Sequence, residues 1–215
     1  GKTELYVQII QEQLDQGKQV LFLLPEIALT TQLIKRLSAY FGEKIGVYHS
    51  KFNQNERVEI WNKVLQDDPH EFRIILGARS SVFLPFQNLG LIIVDEEHES
   101  SFKQYDPSPR YNGRDAAIVL GRMHKAKVVL GTATPALETY TNAKQGKFGL
   151  VSLKERYKGL LMPEVCFADL KRERKLKSMN SHFSNYLLED MESVLQKGEQ
   201  IILFQNRRGY TPLWS

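Results

Sequence analysis

The residues best suited to chemistry sit where short apolar runs give out. Leu91-Ile92-Ile93-Val94 is followed at once by Asp95-Glu96-Glu97-His98. Such a run reads as a strand buried on both faces, so the carboxylates fall at its tip. An Asp there can hold the Mg²⁺ of a bound nucleotide, and an adjacent Glu can orient and deprotonate an attacking water. A second run, Val128-Val129-Leu130, leads into Gly131-Thr132-Ala133-Thr134-Pro135. Hydroxyls beside Asp95 and Glu96 would be placed to sense a γ-phosphate. The same residues also spell a plain ST-turn and a helix start with Pro135 at its first position. The chain opens Gly1-Lys2-Thr3 ahead of a helical pattern. That is the end of the loop G-x-x-x-x-G-K-[ST], in which backbone N–H groups and Lys meet phosphates and the hydroxyl meets Mg²⁺. A terminal tripeptide and an acidic loop are each weak signals. Their order, and their shared place at strand tips, are what a nucleotide-hydrolysing motor requires.

Other strand ends suit nucleic acid. The run Val20 to Leu24 ends in Pro25-Glu26-Ile27-Ala28-Leu29-Thr30-Thr31-Gln32, whose hydroxyls and amide are suited to phosphate contacts or to an ordinary helix cap. Ile74 to Leu76 ends in Gly77-Ala78-Arg79-Ser80-Ser81. After the acidic box come Ser101-Phe102-Lys103-Gln104-Tyr105, then Arg110-Tyr111 and Arg114. Aromatics interleaved with cations can stack bases and neutralise phosphates, or can simply pack a surface. His49, His70, His124 and His182 have no metal-ligand spacing.

The elements that must position these residues alternate along the chain. Strands are expected over 19–24, 44–48, 72–76, 89–94, 127–130 and 200–204. Helices are expected over 3–16, 29–41, 55–66, 113–124, 135–145 and 183–196, with Gly17 and Gly42 at helix C-termini. The alternation implies right-handed crossovers and an α/β fold with a doubly wound, mostly parallel sheet, whose ligands bind at the carboxyl ends of the strands. Beyond 152 the pattern loosens, with one further short strand expected over 165–168. The expected organisation is a complete domain over 1–152, a basic connector and helix over 153–198, and the opening of a second domain over 199–215.

Composition excludes other classes. With 215 residues, 42% hydrophobic and 25% charged, the chain reads as an ordinary globular protein. No apolar run approaches the roughly 18 residues of a membrane span. The single Cys166 excludes a disulfide framework and a cysteine-only metal site within these residues. Nothing at the start resembles a signal peptide, which makes a cytoplasmic protein the expectation. Eight cations against four carboxylates between Lys154 and Lys177 account for the whole formal charge of +4. That segment suits either a polyanion or a solvated connector.

With these residues in view, the chain resembles the bacterial primosomal replication-restart helicases, which are superfamily 2 DNA helicases. The stretches that carry the resemblance are LLPEIALTTQ, YHS, GARSSVFLPFQNLGLIIVDEEHESSFKQYDPSPRYNGRDAA, LGTATPALET and ILFQNRRGYTP. The resemblance implies a RecA-like, P-loop NTPase lobe and an ATP- and Mg²⁺-dependent 3′→5′ DNA helicase. Gly1, Lys2 and Thr3 would meet nucleotide, with Thr3 and Asp95 on Mg²⁺ and Glu96 as catalytic base. His98, Thr132, Thr134, Phe102, Lys103 and Tyr105 would couple hydrolysis to movement. Glu26, Thr30, Arg79, Ser80, Arg110 and Arg114 would approach DNA. Implied partners are single-stranded and forked DNA, ATP, primosome proteins and single-strand-binding proteins, with no membrane. Family members carry DNA-binding domains ahead of the phosphate loop. Their zinc-binding cysteines and arginine finger lie past Arg208-Gly209. The expectation is therefore a first motor lobe without steady hydrolysis on its own. A nucleic-acid-binding scaffold without catalysis, or another superfamily 2 translocase, is the alternative.

Overall fold

The computed structural model describes residues 2–25, 31–49, 53–153 and 163–204. The chain divides into two compact units, 1–159 and 160–215.

The first unit is built on five parallel strands: β1 (Gln19–Leu23), β2 (Ile45–Tyr48), β3 (Ile74–Gly77), β4 (Leu89–Asp95) and β5 (Lys127–Gly131), in the order β2-β3-β1-β4-β5. Helices α1 (Lys2–Asp15), α2 (Thr31–Phe41), α3 (Gln54–Gln66), α4 (Gly113–His124) and α5 (Leu137–Lys144) are interspersed with them. The all-apolar strands are needed because both faces are covered. Val20, Phe22, Ile74, Leu76, Leu91 and Ile93 pack with Tyr6 and Ile10 of α1 and Leu37 of α2. The alternate residues Leu21, Leu23, Ile75, Ile92 and Val94 pack with Ile60 and Val64 of α3 and Ala117 of α4. The period of two along each strand thus sorts its side chains into two layers around a doubly wound sheet.

Local sequence sets the helix ends. Asn53 and Glu56 form a reciprocal capping box at the start of α3, with the Asn53 side chain accepting from Glu56 N–H at 3.0 Å. The Asn112 side chain accepts from Arg114 N–H at 2.9 Å and so starts α4. Pro135 does not take the first position of α5. That helix begins at Leu137, because Ala136 keeps a non-helical backbone, φ −59° and ψ 143°, and is its N-cap; the Ala136 N–H donates to the Glu97 side chain at 2.7 Å.

In the second unit, α6 (Leu170–Lys175) and α7 (Asn185–Gln196) flank a two-stranded hairpin of β6 (Met179–Asn180) and β7 (Phe183–Ser184). The Asp169 side chain caps α6 and Ser184 caps α7. Phe183 belongs to β7, so the expected helix from 183 starts two residues late. The segments 165–168 and 200–204, read as strands from their apolar sequence, carry none over their described residues. Phe167, Ile202 and Phe204 are almost wholly exposed. A strand needs a neighbour to pair with, and none stands beside them among the described residues.

Candidate active site

The strand tips at the carboxyl edge of the sheet meet the first turn of α1. β4 and β5 pair in register as far as Asp95 and Gly131. Lys2 reaches across from α1, its ammonium 3.1 Å from Asp95 Oδ1 and 2.7 Å from Glu96 Oε1. These side chains are partly open, at 31% for Lys2, 21% for Asp95 and 36% for Glu96. Burial works against the Lys2 charge, but the carboxylates of Glu96 and Asp95 outweigh it and raise its pKa. Thr3 lies beside Lys2 in the same helical turn.

Tyr6 is a site residue that the motifs do not reveal. Its hydroxyl donates to Asp95 Oδ1 at 2.9 Å. Burial, reinforced by Asp95, pushes its pKa far up, so it stays a neutral donor. The available signal was spacing: four residues after Lys2, Tyr6 lies on the same helix face. Gly131 makes the approach possible, since a Cβ there would stand 1.7 Å from the Tyr6 hydroxyl oxygen. Glu96 has left-handed backbone, φ 50°. A non-glycine residue held there costs about 1–3 kcal/mol and is retained where the surroundings fix it.

Next in sequence, the His98 ring meets the threonines of the β5 tip. Its Nδ1 is 2.8 Å from Thr132 Oγ1 and its Nε2 is 3.4 Å from Thr134 Oγ1. Thr132 Oγ1 also accepts from Thr134 N–H at 3.0 Å, so the ST-turn is present as well as the histidine contact. His98 Nδ1 lies 3.8 Å from Glu96 Oε2. The structure therefore gathers Lys2, Asp95, Glu96, His98, Thr132 and Thr134 at one edge. Gly1, Glu26 and Thr30 lie outside the described residues.

The loop residues behave differently from their sequence expectation. Phe102 is a core side chain, packed among the strands of one face. Lys103 donates to Arg110 O at 2.9 Å and Gln104 N–H to Tyr111 O at 2.9 Å, which closes the segment 103–112 on itself. Arg79 donates to the carbonyls of Ser101 and Lys103 at 3.1 and 3.0 Å, and half-buried Ser80 follows it in a 3₁₀ turn. Gly113 allows α4 to press on that turn, as a Cβ there would stand 2.8 Å from Arg79 Cβ. Tyr105 and Arg110 are the members of this group that face solvent. Arg114 is turned inward and bonds Glu97 at 3.0 Å and Asp115 at 2.9 Å. Phe83, which no motif marked, is exposed and meets Tyr111 edge-to-face with centroids 4.9 Å apart.

The chain is 44% identical over 211 residues to the replication restart protein PriA of Bacillus subtilis, covering 98% of this chain and 26% of that protein. It is 45% identical over 213 residues to the PriA of Rickettsia conorii, covering 99% of this chain and 32% of that protein. The PriA of Chlamydia muridarum is 42% identical over 210 residues, or 98% of this chain and 28% of its own length. The chain thus spans between a quarter and a third of the length of these relatives. The family description DEAD/DEAH box helicase matches residues 1–143, which hold the whole five-stranded sheet and the strand-tip cluster, and the chain belongs to that family.

Proposed function

We propose that the strand-tip cluster binds ATP with Mg²⁺ and hydrolyses its γ-phosphate to drive movement along DNA, in an ATP-dependent helicase of replication restart. The observation that carries this reading is the joining of α1 to the β4 tip, where Asp95 and Glu96 hold a cation, the Lys2 ammonium, between them. A carboxylate pair that accommodates one cation has the donor chemistry for Mg²⁺, with Thr3 as a hydroxyl ligand. Among the described residues no three His, Cys, Asp or Glu side chains converge on one metal position. Asp95 and Thr3 would be the residues that hold Mg²⁺. Bound there, it would neutralise charge on the phosphates.

Lys2 would exchange its carboxylate partners for phosphate oxygens and stabilise the charge that grows on them. Glu96, released from Lys2, would accept the proton of the attacking water. Tyr6 would hold Asp95 in orientation through its neutral hydroxyl. His98 would carry the change at Glu96 to Thr132 and Thr134. The exposed Tyr105 and Arg110 suit a single strand, by stacking and by phosphate contact. Movement 3′→5′ on single-stranded and forked DNA, primosome and single-strand-binding partners and a cytoplasmic location follow from the resemblance to restart helicases. A first-lobe role for 1–152, with the second lobe opening at 199, belongs to the same reading.

Titration of the chain with a fluorescent ATP analogue and Mg²⁺ tests it. Wild type should bind, and Lys2→Ala should lower the affinity by tenfold or more, at about 1.4 kcal/mol per factor of ten. Unchanged affinity in Lys2→Ala would overturn the assignment.

A further inference from the structure

Glu97 takes no part in the chemistry above, yet its side chain is wholly enclosed, at 0% exposure. One oxygen accepts from Ala136 N–H at 2.7 Å. The other accepts from the Thr139 hydroxyl at 2.8 Å and from Arg114 Nη1 at 3.0 Å. Its own N–H donates to Gly131 O at 3.2 Å. One residue therefore joins four segments: the acidic tip of β4, the Gly131–Ala136 turn that bears Thr132 and Thr134, the first turn of α5 through Thr139, and the start of α4.

Arg114 is the second residue of α4, and the segment 103–112 runs directly into it. That segment is closed by the bridge between Lys103 and Asn112, and Arg79 pins its other end. A shift of the segment that carries Asn112 and the head of α4 must therefore pull on Arg114, and through it on Glu97. Glu97 in turn lies between Glu96 and His98. An apolar residue of similar volume commonly holds a fold as well as a buried ion pair does, so packing alone does not call for this one.

We propose that Glu97 and Arg114 are positioning residues, which convey engagement of segment 103–112 by single-stranded nucleic acid to the hydrolytic geometry of Glu96, His98, Thr132 and Thr134. This rests on the hydrolysis reading above. In Glu97→Gln the shape is kept, but an amide nitrogen replaces one acceptor where Arg114 or Ala136 N–H must donate.

The test measures ATP hydrolysis by the full-length protein with and without oligo-dT. The ratio of stimulated to unstimulated rate should fall about tenfold or more in Glu97→Gln, within the usual range of coupling between sites. The unstimulated rate and the KM for ATP should stay within about twofold of wild type. Hydrogen exchange gives a readout free of turnover: oligo-dT should slow exchange at Ala136 N–H in wild type and leave it unaltered in Glu97→Gln. Where Glu97→Gln does not fold, Thr139→Val carries the same ratio test, because it removes one donor to the Glu97 carboxylate at nearly unchanged volume. A wild-type ratio in the variant overturns the inference. So does a parallel fall of both rates with a lower melting point, which marks a purely structural pair. Absence of hydrolysis in wild type, with or without oligo-dT, would instead sink the hydrolysis reading itself.

Discussion

The two ends of the five-stranded sheet treat their polar residues in opposite ways. At the amino end, Gln19 opens β1 and Arg73 precedes β3, and both are buried. Gln19 donates to Val64 O at 3.0 Å and accepts from Gln87 and Asn88 N–H at 2.9 and 3.0 Å. Arg73 pairs with Asp67 and donates to Gly17 O. Both side chains are used in sealing the core. At the carboxyl end, Lys2, Asp95 and Glu96 stay partly open and are bonded to one another and to Tyr6. The sealed end spends its hydrogen bonds on stability. The open end tolerates partly exposed charge that stability alone would not select. Glu97 is the exception: it lies at the open end but is built like a residue of the sealed one.

Substitutions at the two ends test this contrast. The largest loss of stability is expected at the sealed end, where Arg73→Ala removes a buried side chain together with its bonds to Asp67 and Gly17 O and should cost about 3 kcal/mol in denaturant melts. A cost below 1 kcal/mol there would erase the difference between the two ends. Gly131→Ala forces a methyl against the Tyr6 hydroxyl and should cost about 1–3 kcal/mol as overpacking. Its crystal structure should show Tyr6 withdrawn from Asp95, and an undisturbed contact would contradict the close approach. Tyr6→Phe removes one hydrogen bond to a partly open carboxylate, for about 1 kcal/mol, and is read from the same melts. The smallest stability effect belongs to Lys2→Ala, within about 1 kcal/mol of wild type, because its ion pairs are partly open to solvent. The same variant is the one expected to lose nucleotide affinity, so a large drop in melting point would make Lys2 structural.

The five strands of the sheet were legible in the sequence to within two residues. Strands buried on both faces admit little besides Val, Ile, Leu and Phe, and the carboxylates and threonines then mark their tips. The run Ile201-Ile202-Leu203-Phe204 is as apolar as Val20 to Leu23 of β1 and forms no strand, because pairing depends on a neighbour that the local sequence does not encode. Phe102 looked like part of an aromatic surface and is core, since only the three-dimensional turn after β4 decides which way its ring points. Glu97 read as one more acid in a cluster. Its burial depends on Arg114, Ala136 and Thr139, which lie 17 to 42 residues away. Tyr6 was within reach, as its spacing from Lys2 alone put both on one face of α1.

The proposed base of the nucleotide-hydrolysing site is Glu96, held by Lys2 at the tip of β4. The most direct measurement is single-turnover ATP hydrolysis by the full-length protein carrying Glu96→Gln, beside binding of the same nucleotide. Binding kept at wild-type strength, with hydrolysis slowed about a hundredfold or more, is the result expected for a general base; hydrolysis at the wild-type rate would contradict the account.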